Sequence, residues 1–256
     1  MIIWKVLEKP KLKNPLVIEG LPGMGNVGKV TAEYLADELG ATVFAELYSD
    51  NYPYHVFVNE DDSVDLPRNV FYYWKAKKKG QRDLIIITGD VQSMNPQGHY
   101  EVVNEMLDFL EKFDAKEVIT IGGFAVSRIP KKPKVIGAVT DDKIKKKYKK
   151  FNIVFEAGQR VGIIIGASGL LLGLAKVRGM NGLCLIGETI GRSMFTDTRA
   201  SKAVLEVLTK IIDVKIDMTD IDKRSEELEK AMMKAEEIEK AVMDKMKKSD
   251  ELRYIA

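Results

Sequence analysis

The residues best placed to do chemistry lie in "LVIEGLPGMGNVGKVTAEYLADELG", residues 16–40, where an apolar run enters a glycine cluster and leaves it in a helical pattern. Gly23, Gly25 and Gly28 have the G-x-G-x-x-G spacing of a dinucleotide loop, while Gly23, Gly28 and Lys29 supply most of a P-loop. Each reading lacks a chemical part. A dinucleotide loop sets its first glycine directly behind the strand, so that the helix N-terminus faces the pyrophosphate. Here Glu19, Gly20, Leu21 and Pro22 intervene, and Glu19 would set a carboxylate beside the phosphates. Glu46, near the end of the next strand, has the separation of a ribose-binding acid. A P-loop needs a hydroxyl after its lysine to hold magnesium, and Val30 has none; Thr31 comes one place late. The metal-holding acid would be Asp90, which Thr88 and Gly89 separate from its apolar run. A structural turn asks for less. Pro22 stiffens the entry, Gly23 and Gly25 admit positive φ, and Gly28 lets the first helical turn approach the sheet. The alternative is a nucleoside- or nucleotide-binding protein or enzyme using the Gly23–Lys29 loop. Asp90, Gln92, Ser93 and Gln97 of "GDVQSMNPQGHY" would then line the pocket.

Other chemistry finds little support. His55 and His99 are the only histidines, and neither stands near a recognisable nucleophile. Cys184, the single cysteine, sits in the apolar "GLCLIG" and reads as buried and inert. Glu60, Asp61, Asp62 and Asp65 lack the alternating oxygen ligands of a calcium loop and read as a solvated turn. No His, Cys and acid cluster has zinc spacing, so no catalytic, cofactor-binding or metal-binding residue is assigned. The basic run "PKKPKVIGAVTDDKIKKKYKKFN" holds lysines but no arginine, with only Tyr148 and Phe151 as nearby aromatics. That pattern favours a solvated protrusion, then an acidic protein partner, over nucleic acid.

Composition fits a soluble globular chain of 256 residues, 45% hydrophobic and 30% charged, with a formal net charge of +2. Nothing in that balance calls for nucleic acid or a membrane. One cysteine fits a reducing compartment, and "MIIWKVLEKP" breaks its apolar run too early for a signal peptide, so the expected location is cytoplasmic. The most apolar run, Val161 to Ala175, falls short of the roughly 20 residues that cross a bilayer. Heavy lysine and glutamate usage leans toward a heat-adapted source.

The elements that must position these residues follow from periodicity. "PLVIEG", "TVFAELY", "NVFYYWKAKK", "DLIIITGD", "EVITIGG", "KVIGAVTD", "FNIVFEA" and "GLCLIGE" read as strands, the third near an edge. Helices are expected over Val30–Leu39, Tyr100–Phe113, from a Ser168 cap to Arg178, and over "RASKAVLEVLTKII" behind a Thr196 or Asp197 cap. Alternating buried strands and helices predict a three-layer α/β/α sandwich around a mostly parallel sheet. From Thr219 glycine, proline and strand patterns disappear, and Ile221, Leu228, Met232, Ala235, Ile238, Val242 and Met246 recur at helical spacing. This divides the chain into a core, 1–216, and a C-terminal amphipathic helix and tail, 217–256. Leu228, Met232, Ala235, Ile238 and Val242 form a face for the protein's own core, a second copy or a partner.

"LPGMGNVGKVTAEYL" resembles the opening signature of the proteasome assembly chaperone family, which contains eukaryotic proteasome assembly chaperone 2 and archaeal relatives. Pro22, Gly23, Gly25, Val27, Gly28, Ala32, Tyr34 and Leu35 carry the match, and "VITIGGFAV", "GIIIGASGLLLGLAKVRGMNGLCLIGET" and the helix from Asp197 follow in order. The resemblance runs from about Leu16 to Val242. It implies a nucleoside-phosphorylase-like fold without catalytic residues and a homo-oligomer, ring-like in form, that acts by binding protein. Its implied partners are 20S proteasome α-subunits or a homologous chain. Family members that dock on the proteasome end in a hydrophobic residue, a tyrosine and one final residue. This chain ends "LRYIA", with Tyr254 third from the end and Arg253 in the hydrophobic position. Tyr254, Ile255 and Ala256 are the corresponding candidate partner-binding tail.

Overall fold

The computed structural model describes residues 1–127, 130, 132–190 and 196–234. In chain order, the elements begin with β1 (Ile2–Val6), β2 (Leu16–Glu19), α1 (Val27–Leu39), β3 (Thr42–Ser49) and the short hairpin β4 (Phe57–Val58) and β5 (Val64–Asp65). Then come β6 (Asn69–Trp74), β7 (Leu84–Gly89), α2 (Pro96–Glu111), β8 (Glu117–Ala125), β9 (Val135–Val139), α3 (Asp142–Tyr148) and α4 (Ala157–Arg160). Last are α5 (Ala167–Val177), β10 (Asn181–Thr189) and α6 (Thr198–Ile212), with a further helix, α7, described over 219–234.

Eight strands form one sheet in the order β1-β3-β6-β7-β2-β8-β10-β9. The apolar runs of β2, β7 and β8 are buried on both faces because successive side chains point to opposite layers. Leu16, Ile18, Ile86, Ile119 and Leu183 pack with α1 and α6, whereas Val17, Ile85 and Val118 pack with α2 and α5. The three-layer arrangement is therefore as expected.

The sheet is mixed rather than mostly parallel. Only β7, β2, β8 and β10 pair parallel with one another; β1, β3, β6 and β9 join by antiparallel pairings. The β6–β7 connection shows why: residues 75–83, "KAKKKGQRD", are too few for a crossover of about a dozen residues, so the chain must return antiparallel. Periodicity reports burial and carries no direction. β6 also lies inside the sheet, between β3 and β7; β1 and β9 are the edges. β1, with the sequence IIWKV, has no apolar–polar alternation to mark it as a strand. "FNIVFEA" forms no strand, only a bridge between Val154 and Ile136. Gly166, at φ 94°, caps α5 in place of Ser168, whose hydroxyl lies inside the first turn and donates to the Ile121 carbonyl.

Asp197 caps α6 by accepting from the Ala200 amide, and Gly40 closes α1 in the left-handed conformation. α7 lies against the core through Ile221, which is 1% exposed, and Met232, with Leu228 half-buried. Tyr34 donates to the Asp217 carbonyl and Lys202 pairs with Asp222 at 2.7 Å, fixing the start of this helix. Ala235, Ile238, Val242, Tyr254, Ile255 and Ala256 lie outside the described residues. None of the described helices is long and apolar enough to cross a membrane.

Candidate functional site

The glycine turn sits over the C-terminal ends of the parallel strands, where open α/β sheets usually place ligands. Its backbone fills that space. A Cβ on Gly28 would lie 2.6 Å from the Ile121 carbonyl oxygen, and one on Gly20 would lie 2.2 Å from the Gly28 oxygen. β2, the first turn of α1 and the end of β8 are thus pressed backbone to backbone. The Met24 carbonyl oxygen approaches Gly123 so closely that a Cβ there would be 2.1 Å away. Gly25, at φ 62°, faces the Thr189 side chain, which would meet a Cβ at 2.5 Å. Asn26 is also left-handed, at φ 50°, and gives α1 no side-chain cap.

Carbonyl groups of the turn are committed to the protein. Pro22 accepts from the Gln92 side-chain amide, Gly23 from the Asn26 amide, and Gly25 from the Asp197 amide at 2.9 Å. Gln92 is a bridge, since its carbonyl oxygen accepts from the Ala167 amide at the start of α5. Thr189 donates to Asp197 at 3.0 Å, tying β10 to the cap of α6. Four elements therefore converge on residues 22–28. Gly25 takes the positive φ expected of it, 62°, whereas Gly23 is extended, φ −170°, and needs no special freedom.

Glu19 closes the space beneath the turn. Its side chain is fully buried, one oxygen accepts from the Leu21 amide, and no hydrogen bond is found for the other among the described residues. Burial pushes its pKa up to about 8, against the opposing pull of the Leu21 amide and the Ser168 hydroxyl. A neutral carboxyl group, not a phosphate cradle, is what this strand end offers at neutral pH.

Of the residues of the ligand-binding alternative, Asp90 and Gln92 do reach the Gly23–Lys29 loop, but their polar groups are spent on protein contacts, and Glu46 lies elsewhere. Glu46 lies on β3, which β6 and β7 separate from β2, and it binds Lys5, Tyr48 and Arg68. Burial alone would raise its pKa, but these partners hold it below the usual carboxylate range. Asp90 accepts from the Arg68 amide and sits 3.9 Å from the Lys29 ammonium, which also pairs with Glu33. Ser93 donates to the Asn95 carbonyl, and Gln97 donates to Glu101 within α2. His55 is exposed against Phe57, while His99 is half-buried on α2, where burial lowers its pKa. Cys184 is buried on β10, its thiol pushed up to about 12 by desolvation, as an inert cysteine requires. Asp61 accepts from both Ser63 donors, which is turn chemistry. No group of three or more metal-ligating residues occurs among the described residues.

Sequence reasoning missed Thr189 as a turn contact and Gln92 as a bridge, because both act over long sequence separations. The glycine spacing gave the only signal at the near side of each contact.

Comparison with known proteins places this construction. The PAC2 family profile matches residues 17–236. A crystal structure of Pyrococcus furiosus PbaB, described as an archaeal proteasome activator, superposes with a TM-score of 0.87 at 43% identity, covering 92% of this chain and 98% of that one. Pyrococcus furiosus PbaA, described as an archaeal homologue of proteasome-assembly chaperone, gives 0.73 at 26% identity, over 98% and 99%. An uncharacterised protein of Methanocaldococcus jannaschii is 36% identical over 259 residues, spanning 100% of this chain and 97% of its own length. With its glycine turn inside the matched span and the match running nearly end to end, the chain belongs to the PAC2 family.

Proposed function

We propose that this protein is a non-enzymatic, homo-oligomeric partner of the 20S proteasome, acting by protein binding as an activator or assembly factor. One observation carries the reading: 43% identity and a TM-score of 0.87 to a protein described as an archaeal proteasome activator, over 98% of that protein. The committed glycine turn supports it, because residues 20–28 are occupied by their own packing and leave the nucleotide alternative without a cradle. In this reading residues 1–216 form the α/β core, on which Ile221 and Met232 rest, and the rest of the 217–256 segment serves the partner. Ala235, Ile238 and Val242, with the open side of Leu228, extend the assembly, and Tyr254, Ile255 and Ala256 engage the proteasome α-subunits.

Native mass spectrometry of the full chain alone and mixed with archaeal 20S proteasome tests this. A discrete oligomer and a mass-resolved complex with the 20S particle are expected. A monomer at micromolar concentration with no such complex contradicts the proposal. Deleting residues 253–256 separates the tail from the rest: complex formation should fall at least tenfold, and undiminished binding would remove the tail as the anchor.

A further inference from the structure

Three separate stretches of chain, residues 9–13, 75–82 and 143–150, contain fourteen lysines and arginines and no acid. The fold brings them to one end of the molecule. Residues 9–13 lead into β2, residues 75–82 join β6 to β7, and residues 143–150 span α3 and its exit; all lie where the parallel strands begin. Two carboxylates fasten them together. Asp83 accepts from the Lys13 amide at 2.7 Å and from the Ala76 amide at 2.9 Å. Glu117, 4% exposed, binds Arg82 at 2.6 Å, Lys147 at 2.7 Å and the Tyr148 hydroxyl at 2.7 Å. Nearby acids are already engaged: Asp142 pairs with Lys146, Asp114 pairs with Lys116, and Asp141 caps α3. Asp213 is exposed at the end of α6 and offsets little of this charge.

The fourteen cations outnumber the six acids named at this end, Asp83, Asp114, Glu117, Asp141, Asp142 and Asp213, so a basic excess remains there and attracts acidic surfaces over a Debye length. In the middle of that end is a cavity of about 200 Å³ between Gly80–Arg82, Lys147 and Phe151, with Leu16, Ile211 and Ile212 among its apolar walls.

We propose that this basic end docks an acidic peptide segment of a partner protein, seating one apolar side chain in the cavity while carboxylates meet the lysine rim. Protein is favoured over nucleic acid by the residue types. Thirteen of the fourteen cations are lysines, and the one arginine, Arg82, is spent on Glu117, Asn14 and Pro15. No stacking platform is offered: Tyr148 is buried, and the Phe151 ring lies beneath the Lys150 ammonium. The inference is independent of the proteasome reading and holds for any partner with such a segment.

Fluorescence anisotropy tests it on the full chain with three labelled probes. The first is a twelve-residue Glu/Asp peptide containing two leucines, the second has those leucines replaced by serine, and the third is a single-stranded DNA of equal charge. At 20 mM salt the leucine peptide should bind at least threefold tighter than the serine peptide and the DNA. The variants K77E/K78E/K79E and K143E/K149E/K150E, all at exposed lysines, should each weaken it at least tenfold. The control K134E/K223E/K230E, with its reversals away from this end, should change it less than twofold. Undetectable peptide binding, DNA binding as tight as the leucine peptide, or equal losses in basic-end and control variants would each overturn the proposal. Unchanged circular dichroism melting confirms that each variant is folded.

Discussion

Glu19 and Glu117 sit at opposite ends of the central strands and respond oppositely to pH. Glu19 is held neutral by burial, so the folded state keeps a proton that the unfolded chain releases near pH 4.5. Its contribution is full below that value and is lost as pH rises toward about 8, at up to about 1.4 kcal/mol per pH unit. Glu19→Gln should flatten the stability profile between pH 5 and 8, as read by denaturant unfolding; an unchanged slope would show Glu19 ionised or hydrated. Glu117 is the reverse case. Burial would raise its pKa, but Lys147, Tyr148 and Arg82 hold it below the usual range. It therefore stabilises above its unfolded pKa and loses that contribution as pH falls through its depressed folded value. Glu117→Gln should remove part of the acid-unfolding transition and cost about 2 kcal/mol at pH 7. That figure lies below the usual cost of breaking a buried pair because Arg82 and Lys147 remain partly hydrated.

The glycine turn tests the packing account at the scale of elements. Gly28→Ala places a methyl group against the Ile121 and Leu21 carbonyl oxygens and should cost about 1–3 kcal/mol or more, measured by thermal unfolding. Gly23→Ala meets only the Gln92 amide at 3.7 Å in extended backbone and should be near neutral. Equal effects at the two positions would contradict the assignment of Gly28 as the close-contact residue. Asp197→Ala removes the cap of α6 and the acceptor for Thr189, and should cost at least about 1 kcal/mol. Sequence made much of this visible. The buried runs of β2, β7, β8 and β10 and the stop at Gly40 follow from local composition. Strand direction did not, because the pleat has the same period in either orientation. Nor did the role of Thr189 and Gln92, whose contacts with the turn span more than sixty residues.

At the scale of the whole molecule, the chain presents a packed three-layer core, a helix over residues 219–234 lying against that core, and a basic end opposite the glycine turn. The ordered motifs made the family legible before any coordinates, since glycine spacing, "VITIGGFAV" and "GIIIGASG" mark backbone contacts that the fold cannot make with larger residues. Assembly was less legible, because an amphipathic stripe reads the same whether its own core or a second copy covers it. Ile221 and Met232 show the first turns of that stripe resting on the core. The central claim is action on the 20S proteasome, and the most direct measurement is hydrolysis of a fluorogenic peptide by archaeal 20S particles titrated with this protein. The account predicts a rate that rises and saturates with added protein, and a smaller rise with the 253–256 deletion. A rate that stays flat across the titration, with no complex seen by native mass spectrometry, would contradict it.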